Sequence, residues 1–212
     1  MKRNGPNSNA KWSLERKLWS LGSTPLVGID EAGRGALGGP VVVAAVMLPY
    51  GNYPYRDSKE VSGKQRYEWE KRIIEEALAW GIGVVEPRDI DRLNILGATH
   101  LAAERAVSRL VVSPGGLITD YLFLPSTVPV LSPPRADSIS IQVAAASILA
   151  KTYRDRLLVR LARAYPGYFL ESNMGYGTAE HLKAIRKHGP TSFHRHSFKP
   201  VLEANRVSHY HD

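Results

Sequence analysis

Apolar positions recur with two periods along the chain, and the switches between them predict its elements. Leu14, Leu18 and Trp19 stand at helical spacing, which predicts a short helix over Trp12–Leu21. Pro25–Asp30 (PLVGID) and Val41–Leu48 are apolar runs of strand length. The glycine-rich EAGRGALGGP between them predicts a hairpin. A long amphipathic helix follows over Lys59–Trp80, with Trp69, Ile73, Ile74, Ala77 and Leu78 on one face. Asp57 or Ser58 would cap it. Gly81–Val85 reads as a strand, Asp89–Val112 as a helix, and Gly116–Asp120 and Val128–Leu131 as two further strands. Val143–Ala164 is a strong helix, and Thr178–His188 a last one, capped by Thr178 and stopped by Gly189-Pro190. Strands alternating with helices after an opening hairpin predict an α/β domain with a mixed sheet. There is no internal repeat, and the Pro-rich SPPRAD is a loop rather than a boundary.

Composition narrows the class. A chain of 212 residues with 43% hydrophobic and 23% charged residues has ordinary globular usage, which excludes a wholly disordered protein. With Cys at 0 there is no disulfide framework, thiolate zinc site or cysteine nucleophile, which fits a reducing compartment. Lys and Arg number 28 against 20 Asp and Glu, a net charge of +8. That excess suits a polyanionic partner such as nucleic acid, or simply a basic soluble protein. It is uneven: from Lys151 onward 11 basic residues face 5 acidic ones. The most apolar run, Pro40–Pro49, is far shorter than the roughly 20 residues of a membrane span. The polar start lacks the apolar core of a signal peptide. The expectation is a cytoplasmic protein that makes no use of a membrane. Residues 1–11 would be a flexible segment, 12–201 the folded domain and 202–212 a tail.

Candidate chemistry begins at Asp30 and Glu31, two carboxylates closing an apolar strand. Acids are rarely buried unless paired or bound to metal. Neighbours on a strand point to opposite faces, so both reach one site only if the strand bends or ends there. Asp120 likewise closes GLITD, and Asp137 follows a Pro-rich loop. Each alone also reads as a turn or cap residue. Gathered in space, they are what Mg²⁺ or Mn²⁺ requires, and two such ions can drive phosphodiester hydrolysis. Gly33-Arg34-Gly35 lets the backbone approach a ligand closely, or makes a plain hairpin turn. It is neither a Walker loop nor a dinucleotide fingerprint. His194 and His196 would share a face on a strand, but two histidines make a poor zinc site; packing or phosphate proximity is the preferred reading. His209 and His211 suit only adventitious metal binding.

GIDEAGRGALGGPVVVAAV, DSK, AASILAKTYRDR, GYGTAEHL and HRHSF, in this order, resemble the ribonuclease HII family from about Trp12 to Val201. The sister family, ribonuclease HIII, would not be expected to carry Gly-Arg-Gly. The resemblance implies a ribonuclease H-like α/β fold, with a central mixed sheet flanked by helices and a small helical C-terminal region. It implies an endoribonuclease that cuts the RNA strand of RNA–DNA hybrids and nicks 5′ of single ribonucleotides in duplex DNA. The ends would be 3′-hydroxyl and 5′-phosphate, in the service of ribonucleotide excision during DNA replication and repair. Asp30, Glu31, Asp120 and Asp137 would be the catalytic metal ligands for Mn²⁺ or Mg²⁺. The backbone of Gly33, Arg34 and Gly35 would contact the ribose 2′-OH, and Tyr176 would stack on the following sugar. Lys59, Lys151, Arg154 and Arg195 resemble residues that contact the nucleic-acid backbone, and Ser58 or Thr178 could bond a phosphate. Asp155 reads as a helix ion-pair partner. Departures from the family pattern are Ala36, Gly38, a looser DSKEVSGKQR, and Tyr121 where glycine is common. A bulky side chain beside Asp120 could alter that turn. A non-catalytic nucleic-acid-binding module of the same fold is the alternative, and the complete acid set counts against it. A DNA or junction nuclease is a third reading, against which ribose sensing speaks. A monomer is the default expectation.

Overall fold

The computed structural model describes residues 12–56, 58 and 61–208, with side chains to 204. Five strands form one mixed sheet: β1 Leu26–Ala32, β2 Val41–Met47, β3 Ala79–Val85, β4 Gly116–Thr119 and β5 Val130–Leu131, in the order β3-β2-β1-β4-β5. The expected hairpin is present, with Asp30 opposite Ala44 and Glu31 opposite Val43. β2 and β3 are antiparallel, while β1–β4 and β4–β5 are parallel.

The central strands are apolar at nearly every position because helices cover both faces. Val42, Ala44 and Val46 pack with Ile148, Ala145 and Trp69 on one side. Those residues belong to α4 (Ile141–Ala164) and α2 (Gly63–Glu76). Val41, Val43 and Ala45 pack with Ile90, Ala98 and Ala102 of α3 (Pro87–Val107) on the other. α1 (Ser13–Trp19) covers the β4 side through Leu14 and Leu18. α5 (Leu170–Asn173), α6 (Ala179–His188) and α7 (Lys199–Ser208) form the C-terminal region around Leu158, Tyr168, Ile185 and Phe193.

Several boundaries differ from expectation. α2 starts at Gly63 with Ser62 as its cap, the Ser62 hydroxyl accepting from the Gln65 N–H; the expected cap Ser58 is buried elsewhere and Asp57 lies outside the described residues. α2 ends at Glu76, because Ala77 is extended and the chain joins β2 as β3 from Ala79. α3 is broken at Asn94, whose side chain accepts from Leu96 N and Gly97 N and so starts a second helical segment. α7 runs through the expected boundary at 201, with Val201 and Ala204 buried. No helix among the described residues is long and apolar enough to cross a membrane.

Candidate active site

Asp30 and Asp120 come to neighbouring positions in the sheet because β1 and β4 run parallel. Ile29 pairs with Thr119, so the next residues on these neighbouring strands are Asp30 and Asp120. Asp30 is 8% exposed and bonds Ser147 of α4. Burial, then the neighbouring Glu31, and finally Asp120 push its carboxyl well above the usual range, against the Ser147 bond. Asp120 is half-buried and its Oδ1 accepts from the Ala136 N–H at 3.0 Å. Ala136 opens the short 3₁₀ turn Ala136–Ser138, so this bond holds the turn that carries the buried Asp137.

β1 does not end at Asp30 but continues to Ala32. By strand alternation Asp30 lies on the α4 side and Glu31 on the other, where Arg34 reaches it at 3.3 Å. Among the described residues no three His, Cys, Asp or Glu side chains form a ready ion-binding group. Mg²⁺ takes one or two carboxylates together with waters and substrate phosphates. The surplus negative charge around Asp30 fits a cation.

Tyr121 holds the left-handed conformation, φ +49°, and is 73% exposed. That is the backbone a glycine would adopt most easily, so this departure keeps the turn and strains it.

The glycine loop after β1 is held from below by two arginines. Arg154 of α4 donates to the carbonyls of Pro40, Gly38 and Met174 at 2.9–3.0 Å. Arg195 donates to Gly33, Arg34 and Gly39 at 2.7–3.1 Å. Both are fully buried, which corrects the expectation that they touch the substrate backbone. All their reach goes to main-chain oxygens inside the protein. Burial lowers both, Arg195 to about 9 with Arg154 adding repulsion. Ser58 is corrected in the same way: it is buried and shares a hydrogen bond with Ser147. Lys59 lies outside the described residues.

Gly33 has φ +91°, and a Cβ there would lie 2.0 Å from Arg154 Nε, so no other residue fits. Gly35, in contrast, is exposed and faces open space. Among the described residues the N–H groups of Arg34 and Gly35 have no intramolecular acceptor. Gly175, φ +79°, accepts from Leu37 N and Gly38 N through its carbonyl, which clamps the loop of Tyr176 against the first. Tyr176 is 38% exposed, its ring 5.4 Å from the Arg154 guanidinium and 6.0 Å from Lys151 Nζ. Lys151 also pairs with Asp155 at 2.7 Å, the helix ion pair expected for that acid, and Arg66 approaches Asp155 at 3.6 Å. Thr178 caps α6 through the His181 N–H rather than standing free for a phosphate. His194 is buried and His196 exposed, so the two do not share a face. His209 and His211 lie outside the described residues.

The residues that sequence reasoning missed are Ser147 and His181, both inside helical motifs with only an ordinary polar residue as signal. The roles of Arg154 and Arg195 were misread because a fully buried arginine is rare.

A sheet in this order, with Asp30 and Asp120 at neighbouring positions on its parallel strands β1 and β4, defines a ribonuclease H-like fold. Solved structures agree. The ribonuclease H2 from Pyrococcus horikoshii OT3 superposes with a TM-score of 0.71 at 23% identity, covering 85% of this chain and 97% of that one. Bst-RNase HIII in complex with Mn²⁺ superposes at 0.63 and 20% identity, covering 88% and 70%. The Ribonuclease HII family profile matches residues 27–201, and a Ribonuclease HII of Thermus thermophilus is 51% identical over 92% of this chain and 96% of its own. The chain belongs to the ribonuclease HII family.

Proposed function

We propose that the chain is a divalent-cation-dependent endonuclease that hydrolyses the RNA strand of RNA–DNA hybrids and nicks duplex DNA 5′ of a single embedded ribonucleotide. It leaves 3′-hydroxyl and 5′-phosphate ends and works as a cytoplasmic monomer. One observation carries the reading: Asp30, beside Asp120, lies a few residues from a loop whose Gly33 and Arg34 carbonyls accept from Arg195 and whose Arg34 and Gly35 N–H groups have no acceptor among the described residues.

Asp30, Glu31, Asp120 and Asp137 would hold the cations, Mn²⁺ or Mg²⁺; the Mn²⁺ complex of the HIII neighbour supports a manganese reading. When bound, a pair of such ions supplies water activation and charge neutralisation at the departing 3′-oxygen. The chain's own residues select the sugar. The 2′-OH is what tells a ribonucleotide from DNA. Arg195 donates to the Gly33 and Arg34 carbonyls, which polarises the two peptide units whose N–H groups belong to Arg34 and Gly35. Those N–H groups donate to the 2′-oxygen, and the half-exposed Tyr176 ring supports the next sugar. A site built to bond a hydroxyl rejects the analogue lacking it. Lys151, with the exposed Arg160, Arg163, Lys183, Arg186 and Lys187, provides phosphate contacts along the duplex.

The test uses duplex DNA bearing one ribonucleotide and an all-DNA control, with Mg²⁺, Mn²⁺ or chelator. A metal-dependent nick 5′ of the ribonucleotide is expected, reduced by roughly 10³-fold or more in Asp120→Asn and absent from the control. Calorimetry should show Mn²⁺ binding weakened in the same variant. Duplex binding without any cut would return the chain to the non-catalytic class.

A further inference from the structure

Beneath Tyr176 lies a pair of buried histidines that the proposed chemistry does not use. His181 Nε2 and His194 Nε2 are 3.2 Å apart, and both rings are fully buried. The other nitrogens define the protons. His194 Nδ1 stands 2.9 Å from the Thr191 backbone N–H, which can only donate, so Nδ1 accepts and is bare. A neutral His194 then carries its proton on Nε2 and donates it to His181 Nε2. His181 in turn carries its proton on Nδ1, 2.9 Å from the Tyr176 carbonyl. The chain of bonds runs one way, from Thr191 N–H through His194 and His181 to Tyr176 C=O. Desolvation holds both rings neutral, with His194 lowered to about 3 and His181 also lowered. A second proton would set two N–H groups face to face.

The Tyr176 carbonyl also accepts from Thr178 N at 2.8 Å, and the Tyr176 N–H donates to Asn173 O at 2.9 Å. The backbone of this one residue is therefore bonded on both sides, and its ring rests on Arg154. Tyr168 and Phe193 pack around both imidazoles, and the Thr191 hydroxyl also stands 3.1 Å from His194 Nδ1.

We propose that His181 and His194 form a directional hydrogen-bond relay that positions Tyr176 for sugar recognition. They are positioning residues, not catalytic ones. The inference rests on the sugar-sensing role of Tyr176 and is tested separately from it. His181→Gln removes the donor at the Nδ1 position; His181→Asn keeps a donor there and gives up the contact with His194.

The experiment measures kcat and KM on duplex DNA with one ribonucleotide for wild type, both variants, Tyr176→Ala and the double variant His181→Gln/Tyr176→Ala, with thermal melts as the fold control. His181→Gln should lower kcat by about 10- to 100-fold with KM changed less than about threefold, and His181→Asn should recover most of the loss. In the Tyr176→Ala background His181→Gln should add nothing, because it acts through that ring. Long-range ¹H–¹⁵N NMR should find His181 protonated at Nδ1 and His194 at Nε2. Additive losses, equal losses in Gln and Asn, or the opposite tautomers would overturn the relay while sparing the role of Tyr176. No effect of Tyr176→Ala would overturn both.

Discussion

Asp30 and Arg195 are both buried, at 8% and 0% exposure, yet their surroundings treat charge in opposite ways. Asp30 has Ser147 as a partner and two further carboxylates, Glu31 and Asp120, as neighbours that repel it. Arg195 has four hydrogen bonds to three backbone carbonyls and the face of Phe198 at 5.1 Å. The acid end of the sheet is left short of positive charge, which a cation would supply. The glycine loop is complete before any ligand arrives. One region carries unbalanced negative charge, and the other has its buried charge bonded to the backbone.

The largest expected effect breaks the complete region. Arg195→Met should destabilise the chain by about 3–5 kcal/mol, because the Gly33, Arg34 and Gly39 carbonyls lose their buried donor. Denaturant unfolding checks this, and a loss below about 1 kcal/mol would mean that the arginine does not staple the loop. Glu15 sharpens the contrast, as a buried carboxylate served by donors. Its Oε1 accepts from Ser140 Oγ and Gln142 N at the start of α4, while Oε2 has no hydrogen-bond partner among the described residues. Burial raises it from 4.5 to about 6. The folded chain therefore binds the proton more tightly than the unfolded one, so this stabilisation is full below pH 4.5 and lost as pH rises through about 6. The loss should total about 2 kcal/mol and vanish in Glu15→Gln, as read from unfolding curves across that range.

Asp30→Asn should stabilise the metal-free chain by about 1–2 kcal/mol, since it removes the repelled charge and keeps a partner for Ser147. Added Mg²⁺ should raise the melting temperature of wild type and leave the variant unmoved. A variant less stable than wild type without metal would show that Asp30 is already satisfied. Smallest is Tyr121→Gly, which relieves a positive φ and should gain about 1 kcal/mol or less, since glycine also frees the unfolded chain. Thermal melts check it; a clear loss would mean that the exposed ring packs on something.

The opening hairpin, the long helix and the cap at Thr178 were legible because they follow local rules of period and capping. The break at Asn94 was not, because the periodic leucines continue across it and only the asparagine side chain, bonded to Leu96 N and Gly97 N, ends the first segment. Asp30, Glu31 and Asp120 stood out as carboxylates closing apolar runs, and Asp137 as an acid after a Pro-rich loop. That Asp30 and Glu31 face opposite sides was hidden, because it depends on β1 continuing to Ala32. Arg154 and Arg195 look like surface residues in sequence. Their inward turn is set by contacts more than 100 residues away in the chain, at Gly38 and Gly33. No local pattern carries that information.

The proposed function makes recognition of the sugar separable from the chemistry at the acids. Asp120→Asn tests it directly, by fluorescence titration with duplex DNA carrying one ribonucleotide and with the all-DNA duplex. The variant should cut neither duplex yet still bind the ribonucleotide-bearing one about fivefold more tightly or better, the worth of one added hydrogen bond. Equal binding of the two duplexes, or cutting retained, would contradict it.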